Sequence, residues 1–162
     1  MNFDILHETI KPLLEKEAEE IEIFECNSEF SDTESFCNKY NFLLEDSCNA
    51  ILIKSKKPEV FYSMFCVLGH QRLDVNKKAK DAMNTRRVSF ASKDEAEEVT
   101  KQAYGGISPL GLDKDIHIYI DENVMKREKI FIGGGNRTTK IFLTPSELLR
   151  LTNGSLLDLA QS

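Results

Sequence analysis

What this 162-residue chain lacks narrows its chemistry first. No apolar run approaches the ~20 residues needed to cross a bilayer, so no membrane span is expected. No basic stretch precedes an apolar one at the amino terminus, so the pattern is not that of a secretory leader, and the expected location is cytoplasmic. The four cysteines, Cys26, Cys37, Cys48 and Cys66, form no Cys-x-x-Cys pair and have no metal-ligand spacing with histidine. They read as reduced, structural thiols with no metal site. There is no Gly-x-x-x-x-Gly-Lys-Ser/Thr and no Gly-x-Gly-x-x-Gly between a strand and a helix, which leaves no nucleotide fingerprint and no expected cofactor.

What is present is an ordinary globular composition, 41% hydrophobic and 30% charged, at a length that suits one domain spanning 1–162. The net charge of −6 is unevenly divided. Residues 1–35 carry eleven acids against Lys11 and Lys16, a local charge of −9, so the remainder carries +3. Within it Arg72, Lys77, Lys78, Lys80, Arg86 and Arg87 face only Asp74 and Asp81. Such a cluster suits phosphate contacts, or simply a solvated helix face.

Periodicity predicts a first helix over 3–20, beginning or kinking at Pro12, and a short strand over 21–24. This acidic segment, 1–30, is the less defined part of the domain. Ser31-Asp32-Thr33-Glu34 has capping-box spacing and opens a helix to about Tyr40. Strands follow at Ala50–Lys54 and Phe61–Leu68, then a helix capped by Asp74 through Met83 and a strand at Arg87–Phe90. Ser92 to Glu95 is a second capping box, opening a helix to about Tyr104 with Gly105 at C′. Strands at Ile116–Ile120, Lys129–Ile132 and Lys140–Leu143 precede a helix started by Thr144-Pro145-Ser146-Glu147 and ended by Asn153-Gly154. The expected fold is a single α+β (α/β mixed) domain, a mixed six- to seven-stranded central sheet flanked by helices.

Six of the eight glycines fall between residues 105 and 135, in Tyr104-Gly105-Gly106-Ile107-Ser108-Pro109-Leu110-Gly111 and Gly133-Gly134-Gly135-Asn136-Arg137. Glycine admits positive φ and close approach of the backbone. The second run lies between two strands, where a hairpin turn is its ordinary reading. The functional reading is that backbone N–H groups of the two loops hold a carbonyl or its oxyanion.

On Gly105-Gly106-Ile107-Ser108-Pro109-Leu110-Gly111, Leu73-Asp74-Val75-Asn76-Lys77, Gly134-Gly135-Asn136-Arg137 and the ending Leu156-Leu157-Asp158-Leu159-Ala160, the chain resembles the YbaK/EbsC family. That family includes the editing domain inserted in bacterial prolyl-tRNA synthetases and its free-standing relatives. The order of segments agrees from about residue 31 onward. The resemblance implies a free-standing aminoacyl-tRNA deacylase, hydrolysing in trans the ester of mischarged tRNA that carries a small amino acid. It implies the tRNA acceptor end as partner, with an aminoacyl-tRNA synthetase as a further one, and neither DNA nor membrane.

It further implies a catalytic set of Asn49, Gly105 and Gly106. Ile107, Ser108, Pro109, Gly133, Gly134, Gly135, Asn136 and Arg137 would bind substrate; from the basic cluster read above, Lys77, Lys78, Arg86 and Arg87 are the candidates for tRNA phosphates. Two departures stand out. Gly133 occupies a position where relatives often have serine. Asn49 occupies the position where many relatives place a functionally critical lysine. Lys54 is a poor replacement, because strand alternation puts it on the face opposite residue 49; Lys140 is another candidate. The loss of that lysine raises the alternative of a non-catalytic relative that binds tRNA, a synthetase or a small ligand. A deacylase of free aminoacyl esters is a third reading. His70, His117, Met64, Cys66 and Asp121 are each read as packing, solvent-facing or turn residues first.

Overall fold

The computed structural model describes residues 2–162. Pro12 lies in the first turn of α1 (Lys11–Glu17), a position where its missing N–H costs nothing. The helix therefore begins beside Pro12 rather than at residue 3, where a 3₁₀ turn over Phe3–Ile5 stands. Strand β1 (Ile21–Glu25) follows. Helix α2 (Thr33–Tyr40) is capped by Asp32, whose Oδ1 accepts the Ser35 N–H at 3.1 Å. The expected Ser31 cap is thus displaced by one residue, because the longer-reaching carboxylate takes the backbone donor.

The chain continues through β2 (Cys48–Lys57) and β3 (Phe61–Leu68). A π-helical turn over Val75–Ala79, capped by Asp74, runs into the short α3 (Lys80–Ala82). Strand β4 (Arg87–Phe90) leads to α4 (Lys93–Thr100), whose Ser92–Glu95 capping box is complete in both directions. Helix α4 stops at Lys101, which takes the left-handed conformation (φ 63°). Gly105 is therefore not its C′ residue, and Gly105 instead bends a loop at φ 91°. Strands β5 (His117–Asp121), β6 (Ile130–Gly133) and β7 (Thr139–Leu143), helix α5 (Pro145–Thr152) and β8 (Ser155–Leu157) complete the order.

The fold is mixed α+β as expected, but its strands form two sheets rather than one of six or seven strands. The larger has the order β4-β2-β3-β5-β8, antiparallel across β4-β2-β3 and parallel across β3-β5-β8. The smaller is the antiparallel β1-β7-β6. One isolated backbone bridge joins them, Ser47 to Phe131, just before β2 begins. After that single pairing β2 diverges toward β3, which splits what sequence periodicity reads as one sheet. The split leaves a wedge between the start of β2 and the end of β6.

The main core fills the space between the layers with Met64, Cys66, Ile118, Ile120, Ile132, Ile141 and Leu148. Met64 and Cys66 are wholly buried there. A second, aromatic cluster (Phe24, Phe36, Phe42, Phe131, Phe142) packs α2 onto the small sheet. Two buried carboxylates tie distant segments. Asp121 accepts the Leu159 and Ala160 N–H groups at 2.8 and 3.1 Å, which anchors the carboxy-terminal segment on β5. Glu147 accepts the Glu19 and Glu20 N–H groups at 2.8 and 3.0 Å and so fixes the turn into β1.

Lys54 lies on the face of β2 away from residue 49 and is engaged by Glu95 at 2.6 Å. Tyr62 OH and Ser92 N–H also donate to that carboxylate, at 2.8 and 3.0 Å. With the Lys54 hydrogen bond the largest cause, the Glu95 pKa falls to about 2 from its usual 4.5. A carboxylate with a depressed folded-state pKa adds stability above its unfolded pKa and loses it as pH falls toward the folded value. Wild-type protein is therefore expected to lose stability between pH 4.5 and 2 more steeply than Glu95→Gln. Denaturant midpoints measured across that window check this.

Candidate active site

The wedge between the sheets is a cavity of about 450 Å³. Four segments wall it: Ser31–Thr33 at the start of α2, Ser47–Leu52 on β2, the Tyr104–Ile107 loop, and Phe131–Gly133 with Lys140 from the small sheet. Phe90 and Ala91 on its rim, with Ala96, complete the lining. Of the sequence-derived residues, Asn49, Gly105, Gly106, Ile107 and Gly133 come together here, and Lys140 joins them.

Asn49 is held by two hydroxyls. Thr33 Oγ1 and Ser47 Oγ both donate to its Oδ1, at 2.9 and 3.0 Å. Two donors on the oxygen fix the amide orientation and leave the Nδ2 group as its donor edge.

The two glycine loops meet each other as much as they meet the cavity. Gly135 N–H donates to Gly106 O at 2.6 Å, and Ala103 N–H donates to Gly135 O at 2.9 Å. Gly106 N–H donates to Ala103 O at 2.9 Å and Gly134 N–H to Thr139 O at 3.1 Å. Those N–H groups are committed to the fold. Among the described residues, the N–H groups of Gly105 and Ile107 have no acceptor, which makes them the loop's available donors. A Cβ on Gly106 would stand 1.9 Å from Asn136 O, and one on Gly133 would stand 2.5 Å from Ile107 O. Glycine at 133 is thus required by the packing of the 105–107 loop on β6, which explains why this chain has no serine there.

Ser108, Pro109, Gly134, Gly135, Asn136 and Arg137 do not line the cavity; they build its wall from behind. Buried Ser108 donates its N–H to Gln102 Oε1 at 2.7 Å and accepts the Leu110 N–H at 3.2 Å. Asn136 Oδ1 accepts from Thr138 N–H and Thr138 Oγ1 and from Thr139 Oγ1, at 3.1, 3.2 and 2.5 Å, and so shapes the turn between β6 and β7. Arg137 donates to Tyr104 O at 3.3 Å and Ser28 O at 3.2 Å, a strap across the cavity's outer edge.

Of the phosphate candidates, Lys78 is tied to Asp158 at 3.0 Å and Ala160 O at 2.6 Å, whereas Lys77, Arg86 and Arg87 are exposed. Arg87 opens β4, the strand that ends at Phe90 on the rim. His70 is exposed, and His117 is an exposed partner of Ser155 at 2.9 Å; neither lines the cavity. Among the described residues no cluster of three or more His, Cys, Asp or Glu side chains is disposed to hold a metal ion. All four cysteines are free and buried.

Two features of the cavity go beyond the sequence, which marks Lys140 only as a candidate stand-in for the lysine missing at 49. Ser31, released from capping, is 1% exposed and its hydroxyl has no hydrogen-bond partner among the described residues. It lies 3.7 Å from the point a Gly105 Cβ would occupy. Lys140 is 6% exposed, and its ammonium donates to Ser31 O at 2.6 Å and lies 5.4 Å from the Phe36 ring centroid. Burial pulls its pKa below the ordinary lysine value, against the opposing influence of Cys26, Asp32 and Cys37.

The fold itself is shared with solved structures. One is a candidate trans-editing enzyme for prolyl tRNA synthetase, with a TM-score of 0.82, 23% identity and 94% of each chain covered. Another is a hypothetical protein with a TM-score of 0.85 and 18% identity, covering 95% of this chain and 100% of that one. The chain belongs to the aminoacyl-tRNA editing domain family, whose model matches residues 27–151. It is 33% identical over 91 residues to the Enterococcus faecalis protein EbsC, named as a candidate Cys-tRNA(Pro)/Cys-tRNA(Cys) deacylase, covering 56% of this chain and 55% of that one. It is also 32% identical over 80 residues to the uncharacterized Bacillus subtilis protein YwhH, covering 49% of this chain and 50% of that one. The chain spans about half the length of the curated relatives it matches.

Proposed function

We propose that the protein is an aminoacyl-tRNA deacylase that hydrolyses, in trans, the ester between a small amino acid and the tRNA 3′ end. The observation that carries this reading is one cavity, in a chain of the editing-domain family, that collects the oriented Asn49 amide, the Gly105 and Ile107 N–H groups and a buried ammonium. Donors of this kind suit a carbonyl oxygen that gains negative charge as water adds to it. Water attacks the carbonyl carbon, the bond to the ribose oxygen breaks, and the ribose oxygen takes up the proton. The products are a free amino acid and an uncharged 3′ end.

A second sieve of this sort is needed because a synthetase pocket discriminates against a slightly smaller side chain by only about 10–200-fold. The cavity's size suits a small aminoacyl group with part of the terminal ribose. Lys77, Arg86 and Arg87 would meet the acceptor stem; Arg87 stands roughly 10 Å along β4 from the rim.

A panel of tRNAs mischarged with alanine, cysteine, serine or threonine tests the reading. The protein is expected to release at least one of these amino acids faster than buffer, with binding that weakens steeply as salt rises. Binding that ignores salt would favour a small-ester hydrolase, and loss of no ester would favour a binding module.

A further inference from the structure

An ammonium withdrawn from water is costly unless acceptors surround it. Lys140 is 6% exposed and bears three N–H donors, yet it has one hydrogen-bond acceptor, Ser31 O at 2.6 Å. Among the described residues no carboxylate lies within ion-pair distance of it. The groups that face it are Cys26 just after β1, Asp32 at the cap of α2, Cys37 on α2, the Phe36 ring at 5.4 Å, and Arg137 beyond the glycine turn. Across β6 its neighbour is Gly133, which has no side chain to cover it. Beside it the buried Ser31 hydroxyl also lacks a partner. An under-coordinated cation and an unpartnered hydroxyl on the wall of one cavity mark a place built for an oxygen that becomes negative.

We propose that Lys140 is a catalytic residue of this site: its ammonium, assisted by Ser31 Oγ, donates to the ester carbonyl oxygen of the substrate as water adds. The inference rests on the deacylase reading above. In the step, water's oxygen bonds to the carbonyl carbon and the C=O electron pair moves onto the oxygen facing Lys140. Collapse then expels the ribose oxygen, which takes a proton from the attacking water. Lys140 keeps its protons throughout.

The test compares native protein, Lys140→Met and Lys140→Arg by single-turnover deacylation and thermal unfolding. In a second arm, native protein made with biosynthetically incorporated 13C-labelled lysine lets the Lys140 Cε resonance, assigned by its absence in Lys140→Met, be followed by NMR. The probe there is 3′-deoxy-3′-(L-alanylamino)adenosine, a non-hydrolysable compound that carries the aminoacyl carbonyl. Lys140→Met is expected to lose about 10²–10³-fold in rate, as when one oxyanion donor is removed. Its Tm should rise, because an unpaired buried charge is gone. Lys140→Arg should retain part of the rate. The native rate should fall at high pH as the ammonium deprotonates below the usual lysine range, a limb absent in Lys140→Met. The Lys140 resonance should shift with the probe.

An unchanged rate in Lys140→Met overturns the proposal and leaves the deacylase reading standing. A joint fall of rate and Tm in both variants makes Lys140 a structural residue and also overturns it. If native protein deacylates no tRNA, that reading fails. The probe then decides the contact, since a shifted Lys140 resonance supports it and a still one overturns it.

Discussion

Gly106→Val should abolish deacylation and destabilise the protein together. The new Cβ would stand 1.9 Å from Asn136 O and 2.5 Å from Asn136 C, both backbone atoms that no rotamer change can move. Relief requires the Tyr104–Ile107 loop to leave the β6–β7 turn, which breaks the Gly135–Gly106 and Ala103–Gly135 hydrogen bonds. It would also displace Gly105 and Ile107, which line the cavity. Overpacking of this kind costs about 1–3 kcal/mol, and a chain of this size loses about 2–4 °C in Tm for each kcal/mol. Thermal unfolding and a single-turnover assay on one preparation check both effects. A valine variant with native Tm and native rate would show that the two loops do not form a common wall. The joint loss also means that Gly106 is a packing glycine whose own N–H is spent on Ala103, so this variant reports on the wall rather than on a single donor.

Asn49→Ala should act more narrowly. It removes the amide whose Oδ1 takes the Thr33 and Ser47 hydroxyls, and with it the Nδ2 donor edge. Loss of one preorganised donor to a developing oxyanion lowers kcat by about 10²–10³-fold. Thr33 is half-buried and Ser47 buried, but both line the cavity, so water can replace the amide and the stability loss should be about 1 kcal/mol. A large fall in rate at nearly native Tm is the expected result. A rate within twofold of native would remove Asn49 from the chemistry.

Much of the frame was legible in the sequence because its signals are local. The Ser92–Glu95 box, the Thr144-Pro145 helix start and the Asn153 stop each depend on residues a few positions apart. The misplaced features depend on competition or on distance. Ser31 and Asp32 both offer an oxygen to the first turn of α2, and the choice of Asp32 frees the serine hydroxyl for the cavity. Lys101 ends α4 in the left-handed conformation that sequence statistics assign to Gly105.

The division into two sheets turns on a single bridge between Ser47 and Phe131, 84 positions apart in the chain, for which no local pattern exists. The glycine runs are recognisable as special, but only the structure distinguishes N–H groups spent within the fold from those left without an acceptor. Lys140 is the sharpest case. Its place just past the glycine triplet makes it a candidate, but nothing in its neighbours predicts a buried ammonium against Ser31 O.

That lysine bears on the absence of one at position 49. If the cavity's charge is already provided from β7, Asn49 completes the site rather than marking its loss. Placing a second ammonium at 49 would set two like charges in one cavity, which is unfavourable for both. The decisive measurement is single-turnover hydrolysis of mischarged tRNA by native protein beside Asn49→Lys. The native protein is expected to hydrolyse the ester, and Asn49→Lys is expected not to exceed it. A silent native protein beside an active Asn49→Lys would contradict the account and identify this chain as a binding relative whose catalysis has lapsed.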